Sequence, residues 1–338
     1  MSSRVTIDFG LMTPAARVVE DLLVVVPGER VVIVHDVANA EISLAFEHAA
    51  VERGATVERI DLEGMVPRPW SSCPASVLAA LSSASATLVT VSNEEGEYDV
   101  RHALVMAAVA ARARHIHMVG VSRRAFVGSM MANCARVFDL IHALRAAVRP
   151  TAKILVRTAA GTNVEIDMAP HLRWFANGNA VRPGQWMNVP YGSLVTSPAS
   201  VSGTYVADAA VGGGLGAKHG VLSRRPIRLT LEAGRVKGIE CPDSTLRDYA
   251  ARFVAEAQGH DRVGLVSIGT NLGILSPLGE IIHDENMPGV HLALGEPFPT
   301  RTGATWTSHG QLAFALSDSD VDLDGQPLIR HGRYVRFV

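Results

Sequence analysis

VVIVHDVANAEISLAFEHAAVERGATVERIDL, residues 31–62, decides the fold. VVIVHD (31–36) is a β-branched run that predicts a buried strand, Ala40 to Arg53 predicts a helix, and TVERIDL (56–62) predicts a second strand. Strand, crossover helix and strand in that order make a βαβ unit with parallel strands. The alternation continues outward through a helix near Ala75 to Leu81, a strand at TLVTVS (87–92), a helix at RHALVMAAVAARAR (101–114), a strand at HIHMVGV (115–121) and a helix around Ala132 to Val148. Four strands with crossover helices predict a doubly wound parallel sheet, an α/β domain over residues 1–150.

After Pro150 the pattern changes to strands separated by Gly-rich turns. AKILVRTAAGTNVEIDM (152–168) predicts a hairpin turning near Gly161, and IRLTLEAGRVKGIEC (227–241) predicts another. One helix, STLRDYAARFVAEAQGH (244–260), interrupts them. Residues 151–338 therefore read as an α+β, mainly antiparallel domain, with no internal repeat.

A chain of 338 residues with 48% hydrophobic content suits two domains with ample cores. Its 31 basic and 33 acidic residues are dispersed, which argues against nucleic acid or an anionic membrane surface and leaves a small molecule as the expected partner. Cys73, Cys134 and Cys241 are far apart and share no C-x-x-C spacing, as expected of a reducing cytoplasm. MSSRVTIDFG at the N-terminus lacks a signal-peptide core, and no stretch is long enough to span a bilayer.

Ligands of doubly wound sheets sit outside the carboxyl ends of the strands, so HDVANAE (35–41), SNEEGEYDVRH (92–102) and GVSRR (120–124) are the turns to watch. None holds a G-x-G-x-x-G or Walker fingerprint. The acidic 92–102 loop ends at His102 and reads either as a lid or as a solvated connection. His115 and His117 share a strand face and read as packing residues with satisfied nitrogens. His283 and Asp284 are adjacent, which on a strand would point them apart. SDSDVDLDG (317–325) lacks EF-hand spacing and its terminal Glu, so calcium is not expected there, while the GGG of GTYVADAAVGGG (203–214) suggests a bend in a barrel-like sheet.

Four ordered blocks, NVPYGSLVTSP (188–198), RVGLVSIGTN (262–271), DENMPGVHLALG (284–295) and TSHGQLAFALSDSDVDLDG (307–325), precede a closing PLIRHGRYV (327–335). Together they resemble the M29 metallo-aminopeptidases of the aminopeptidase T or S type and the related 2,5-dihydroxypyridine dioxygenases. The resemblance implies metal-ligand positions at Ser193, Leu265, His291, His309 and Gln311, with Phe298 where the aminopeptidases have a Tyr. Both histidines are kept and every carboxylate is replaced. Two divalent ions a few ångströms apart need carboxylates to neutralise them, so two-metal hydrolysis is not expected. A single iron is no better served, because leucine cannot ligate and glutamine is a weak neutral donor.

Strand parity puts His309 with Gln311, Leu265 with Ser267, and His291 with Ala293 and Gly295, so that Glu296 points away unless a bulge or turn intervenes. Glu280, Asp284, Glu285 and Asp208 lie in or beside turns that could fold back toward the histidines. The expected protein is thus an enzyme on an aminopeptidase-like scaffold that treats a small polar or heteroaromatic molecule by metal-independent acid/base chemistry: hydrolysis, ring opening or elimination. His291 and His309 are its expected catalytic pair, and Ser193, Gln311, His102 and Tyr205 its substrate-binding residues. No cofactor is expected. One alternative is a metallo-aminopeptidase or Fe(II) ring-cleaving dioxygenase, with a single Fe, Zn, Co or Mn ion on His291, His309 and a further carboxylate. Another is a non-catalytic binding or scaffold protein on a degenerate enzyme fold, favoured if Leu265 and Phe298 fill the pocket and leave no room for a ligand. The resemblance also implies a homodimer.

Overall fold

A computed structural model describes residues 8–337. The chain forms two compact units: one runs through Cys134 and includes Asn179–Pro190, the other holds Ala135–Gly178 and everything from Tyr191. The boundary expected at Pro150 falls inside the second unit. The helix Cys134–Val148 lies there because its residues pack there: Phe138 meets Tyr191 at 6.1 Å between ring centroids, and Arg145 Nη2 donates to Trp174 O at 3.2 Å.

The first unit is the expected parallel sheet. Strands β1 (Arg30–His35), β2 (Thr56–Asp61), β3 (Ala86–Val91) and β4 (Arg114–Val119) are followed by the short strand Trp186–Asn188, in the spatial order β2, β1, β3, β4, 186–188. That last strand, parallel to β4 with His115 opposite Trp186, was not foreseen. Val32, Val34, Val89 and Val91 face the helices Ala75–Ser82 and Tyr98–Ala110, burying Val77, Leu81, Val100 and Leu104. The helix expected at 101–114 starts and stops earlier, because Arg112 takes a positive φ of 61° and turns the chain into β4.

The second unit holds an eight-stranded and a six-stranded antiparallel sheet. Both expected hairpins are present, Lys153–Thr158 with Asn163–Asp167 and Ile227–Glu232 with Arg235–Glu240. The GGG run bends no sheet: it opens the helix Gly213–His219, and a Cβ on Gly216 would stand 1.9 Å from Val211 O. In 317–325 the acidic residues are used locally, Asp320 accepting from His331 N, Asp322 pairing with Arg330, and Asp324 accepting from Ala152 N and Lys153 N.

The six-stranded sheet places the site. Its strands run Ala210–Val211, Gln311–Ala315, Gly289–Gly295, Val263–Gly269, Ser193–Thr196 and Phe175–Asn177 across the sheet. Alternation gives one face Leu194, Val266, Ile268, Val290, Leu292, Leu312 and Phe314, all buried. The opposite face carries Ser193, Leu265, His291 and Gln311, four of the ligand positions of the resemblance.

Candidate functional site

Register fixes this second face. Val195 pairs with Phe175 and with Ser267, Ser267 with His291, Leu265 with Ala293, and Ala293 with Ala313. Ser193 lies two residues before Val195, opposite Gly269 and Asn177, and is buried. Val195, Leu265 and Ala293 form a buried apolar cluster against which Phe175, Phe298 and Ala313 pack. Leu265 and Phe298 thus occupy with hydrocarbon what the resemblance makes the centre of a metal site. Arg301 adds a cation, its guanidinium 3.8 Å from the Phe175 ring centroid and its pKa lowered by burial.

His291 sits on this face with only 2% of its surface exposed. Its Nε2 donates to Met287 O at 2.8 Å and its Nδ1 accepts from Leu316 N at 3.4 Å, so both nitrogens are engaged in the fold. Burial pushes its pKa down to about 4, partly countered by the Met287 carbonyl and by Asp284. It is a neutral, structurally employed imidazole at pH 7.

The expected pairing with His309 is not formed. Gly295 is opposite Gln311, four residues along from His291 and therefore ~13 Å away at about 3.3 Å per residue. His309 lies beyond Gln311 in an exposed loop, not on the strand, because Gly310 at φ +71° breaks the extended backbone between them. The parity that would set His309 beside Gln311 fails for that reason. The His309 carbonyl accepts from His260 Nε2.

Glu296 was discounted by parity, yet it organises this end of the sheet. Gly295 at φ +95° precedes it and interrupts the alternation. Its carboxylate accepts from Phe298 N at 2.9 Å and Ser308 N at 3.1 Å, and its carbonyl accepts from Gln311 Nε2 at 2.6 Å. The positions of Phe298, Gln311 and the His309 loop are joined through this residue. Phe298 itself is left-handed, φ 50° and ψ 67°, a strained conformation for a bulky side chain.

Tyr205 does not line a cleft. It is fully buried and its hydroxyl donates to Phe314 O at 3.0 Å and Val290 O at 3.3 Å, while burial holds its pKa well above the ordinary value. Tyr205→Phe is expected to cost about 1–2 kcal/mol, since two buried carbonyls lose their donor, and to leave ligand binding unchanged; a urea titration and a binding isotherm check both. His102 belongs to the first unit, exposed on the helix Tyr98–Ala110 and stacked on Tyr98 at 5.9 Å. The acidic loop before it is pinned rather than free to swing: Glu97 is fully buried, accepts from Trp70 N at 2.9 Å and faces Arg68 at 3.4 Å.

Two of the carboxylates near the histidines, Asp208 and Asp284, are already engaged. Asp208 accepts from the Ser317 amide and hydroxyl, both at 2.7 Å. Asp284 accepts from Leu278 N and Gly279 N at 2.9 Å and meets His283 Nδ1 at 2.7 Å. The expectation that His283 and Asp284 point apart fails because Ile281–Asp284 is a helical turn. Burial and the neighbouring Asp284 push the Glu285 carboxyl up to about 7. His115 and His117 pack in the first unit as expected, but not fully satisfied: His115 Nδ1 meets Thr87 Oγ1 at 2.7 Å, whereas His115 Nε2 and His117 Nδ1 are buried without a hydrogen-bond partner among the described residues.

A metal ion does not fit this donor set. Leu265 offers no atom, His291 has spent both nitrogens, Gln311 offers only a weak, neutral amide oxygen, and His309 is removed along the sheet. Among the described residues no three His, Cys, Asp or Glu side chains gather as a metal site.

Comparison with known proteins agrees with the architecture. The sequence profile of the 2,5-dihydroxypyridine 5,6-dioxygenases (NicX) matches residues 13–264 and so ends just before Leu265. No curated protein sequence matches the chain. Among solved structures, 2,5-dihydroxypyridine dioxygenase from Pseudomonas putida KT2440 superposes with a TM-score of 0.70 at 16% identity, over 96% of this chain and 97% of that one. AmpT from Thermus thermophilus superposes equally, TM-score 0.70 at 16% identity, over 96% of this chain and 99% of that one. The two likenesses establish a shared scaffold, and the profile match establishes kinship: the chain belongs to the 2,5-dihydroxypyridine 5,6-dioxygenase family.

Proposed function

We propose that the protein is a metal-independent member of this family, acting on a small polar or heteroaromatic molecule by acid/base chemistry rather than by activating oxygen. The observation that supports this is the apolar cluster of Val195, Leu265 and Ala293 with Phe175 and Phe298, standing where metal-ligating side chains would be needed. Two aromatic rings and the partly desolvated Arg301 suit a flat ring that carries negative charge. His309 is the histidine exposed to exchange protons, and His291 is assigned to the scaffold. Gln311 keeps its amide oxygen for a substrate N–H or O–H, and Ser193 contributes a hydroxyl on the same face. Among the described residues no helix is long and apolar enough to cross a membrane. A homodimer working in the cytoplasm completes this reading, and Cys73, Cys134 and Cys241 form no disulfide among the described residues.

The test is elemental analysis of protein loaded with Fe(II) or Zn(II) and desalted, alongside binding and turnover of hydroxypyridines and their carboxylates with and without chelator. We expect metal well below one ion per chain, chelator-insensitive binding, and a His309→Ala variant that binds normally but turns over ~100-fold or more slowly. One ion per chain, or activity abolished by chelator, overturns the reading. Unchanged turnover in His309→Ala removes the acid/base assignment and favours a binding protein, as the filling by Leu265 and Phe298 would allow.

A further inference from the structure

The first unit has a cleft of its own. The helix Ala40–Glu52 lies on one face of the parallel sheet and the helices Ala75–Ser82 and Tyr98–Ala110 on the other, so the winding reverses between β1 and β3. Ligands of open α/β sheets bind in the crevice that this reversal opens at the carboxyl ends of the strands. Here a cleft of about 290 Å³ opens at that place, walled by Asn39, Glu41 and Ile42 after β1, Ser92 and Asn93 after β3, and Arg123 after β4. Its volume is at the low end of ligand sites, which selects a compact molecule over a dinucleotide.

The floor is rigid. Asp36, buried beneath it, accepts from Asn39 N at 3.0 Å, Asn39 Nδ2 at 2.7 Å, Ser92 N at 2.7 Å and Arg68 Nη2 at 2.7 Å. Burial alone would raise the Asp36 pKa, but the Ser92 and Asn39 hydrogen bonds and Arg68 outweigh it and hold the carboxyl below its ordinary value. With its Nδ2 committed to Asp36, Asn39 turns its amide oxygen away from the carboxylate. Gly120, at φ +65°, lets the ends of β3 and β4 close: a Cβ there would stand 2.8 Å from the Asn93 Cβ.

The mouth carries both signs of charge. Glu41 Oε2 faces Arg123 Nε at 3.9 Å, a loose pair whose side chains are 38% and 47% exposed. Arg123 Nη2 is held by Asp8, and among the described residues Nη1 is left for a ligand carboxylate. Ile42 and Val121 supply the apolar wall.

We propose that this cleft is a second small-molecule site, taking a small zwitterion of the α-amino acid type, with carboxylate on Arg123, ammonium on Glu41 and the Asn39 amide oxygen, and side chain against Ile42 and Val121. It is contained within the first unit and does not depend on the function proposed for the second. Calorimetric titration of the full chain with L-alanine, L-leucine, N-acetyl-L-leucine and L-leucinamide tests it. We expect a free amino acid to bind, with affinity lowered at least ~10-fold for both blocked derivatives and in Arg123→Gln and Glu41→Gln, while Leu265→Ala leaves it unchanged. Circular dichroism confirms that the two mouth variants fold. Absence of binding by both free amino acids, equal binding of the blocked forms, or unaltered affinity in both mouth variants overturns the proposal.

Discussion

Leu265→Glu is expected to destabilise the second unit by about 3–5 kcal/mol and to gain no metal affinity in return. The substitution restores a carboxylate at a ligand position of the family resemblance. Its new neighbours are Val195, Ala293, Ala313 and the rings of Phe175 and Phe298, none of which can stabilise a charge, and the Arg301 guanidinium beyond them is already stacked on Phe175. Leu265 is 8% exposed, so the carboxylate either remains buried at high cost or forces the cluster apart. Ser193 and Gln311 supply no further negative charge, and His291 has no nitrogen to spare. Urea unfolding followed with and without Zn(II) or Fe(II) separates the outcomes. Recovery of stability on adding either metal would mean that a cation site survives beneath the cluster.

His291→Ala is expected to cost a similar amount, about 3–5 kcal/mol, through stability rather than chemistry. It leaves Met287 O and Leu316 N without their side-chain partner and opens a cavity in the middle of a buried strand. The pH dependence should change with it. In the unfolded chain His291 takes up a proton near its ordinary pKa of 6.5, and in the folded protein only near 4. The stability it contributes is therefore complete above pH 6.5 and is lost as pH falls from 6.5 to 4, a window worth on the order of 3 kcal/mol. The alanine variant loses that part of the slope and keeps the part due to His115 and His117, whose pKa values burial also lowers. Unfolding curves between pH 4 and 8 read this directly. A variant of normal stability but abolished turnover would instead make His291 a catalytic base.

The elements legible in the sequence were those whose signal is long or repeated. The β-branched runs of β1 to β4 and the helical stretches between them give the parallel sheet, and Gly161 and Gly234 mark the two hairpins. The helix Phe9–Arg17 was not legible: it contains Pro14 and starts where Asp8 accepts from Gly10 N, a cap rather than a periodic pattern. Nor was Trp186–Asn188, three residues whose strand character comes entirely from pairing with β4.

At the site, parity succeeded where the backbone stays extended and failed where a glycine takes a positive φ. It placed Leu265 with Ser267 and His291 with Ala293. Gly295 and Gly310 broke it for Glu296 and His309, the residues at one end of the same sheet. No pattern of letters tells a histidine whose nitrogens are consumed by Met287 O and Leu316 N from one that awaits a substrate; only the tertiary neighbours decide.

The strand Trp186–Asn188 also governs how the protein is made. During synthesis β4 emerges with one edge bare, and the residues that cover it arrive only after the chain has passed through the hairpin Lys153–Asp167 of the other unit. Until then the nascent sheet offers a row of open amide and carbonyl groups to any neighbouring polypeptide, so the first unit cannot finish folding as an N-terminal module. A fragment ending at Pro150 would carry that open edge permanently, and edge-to-edge pairing with another copy of itself is the expected outcome.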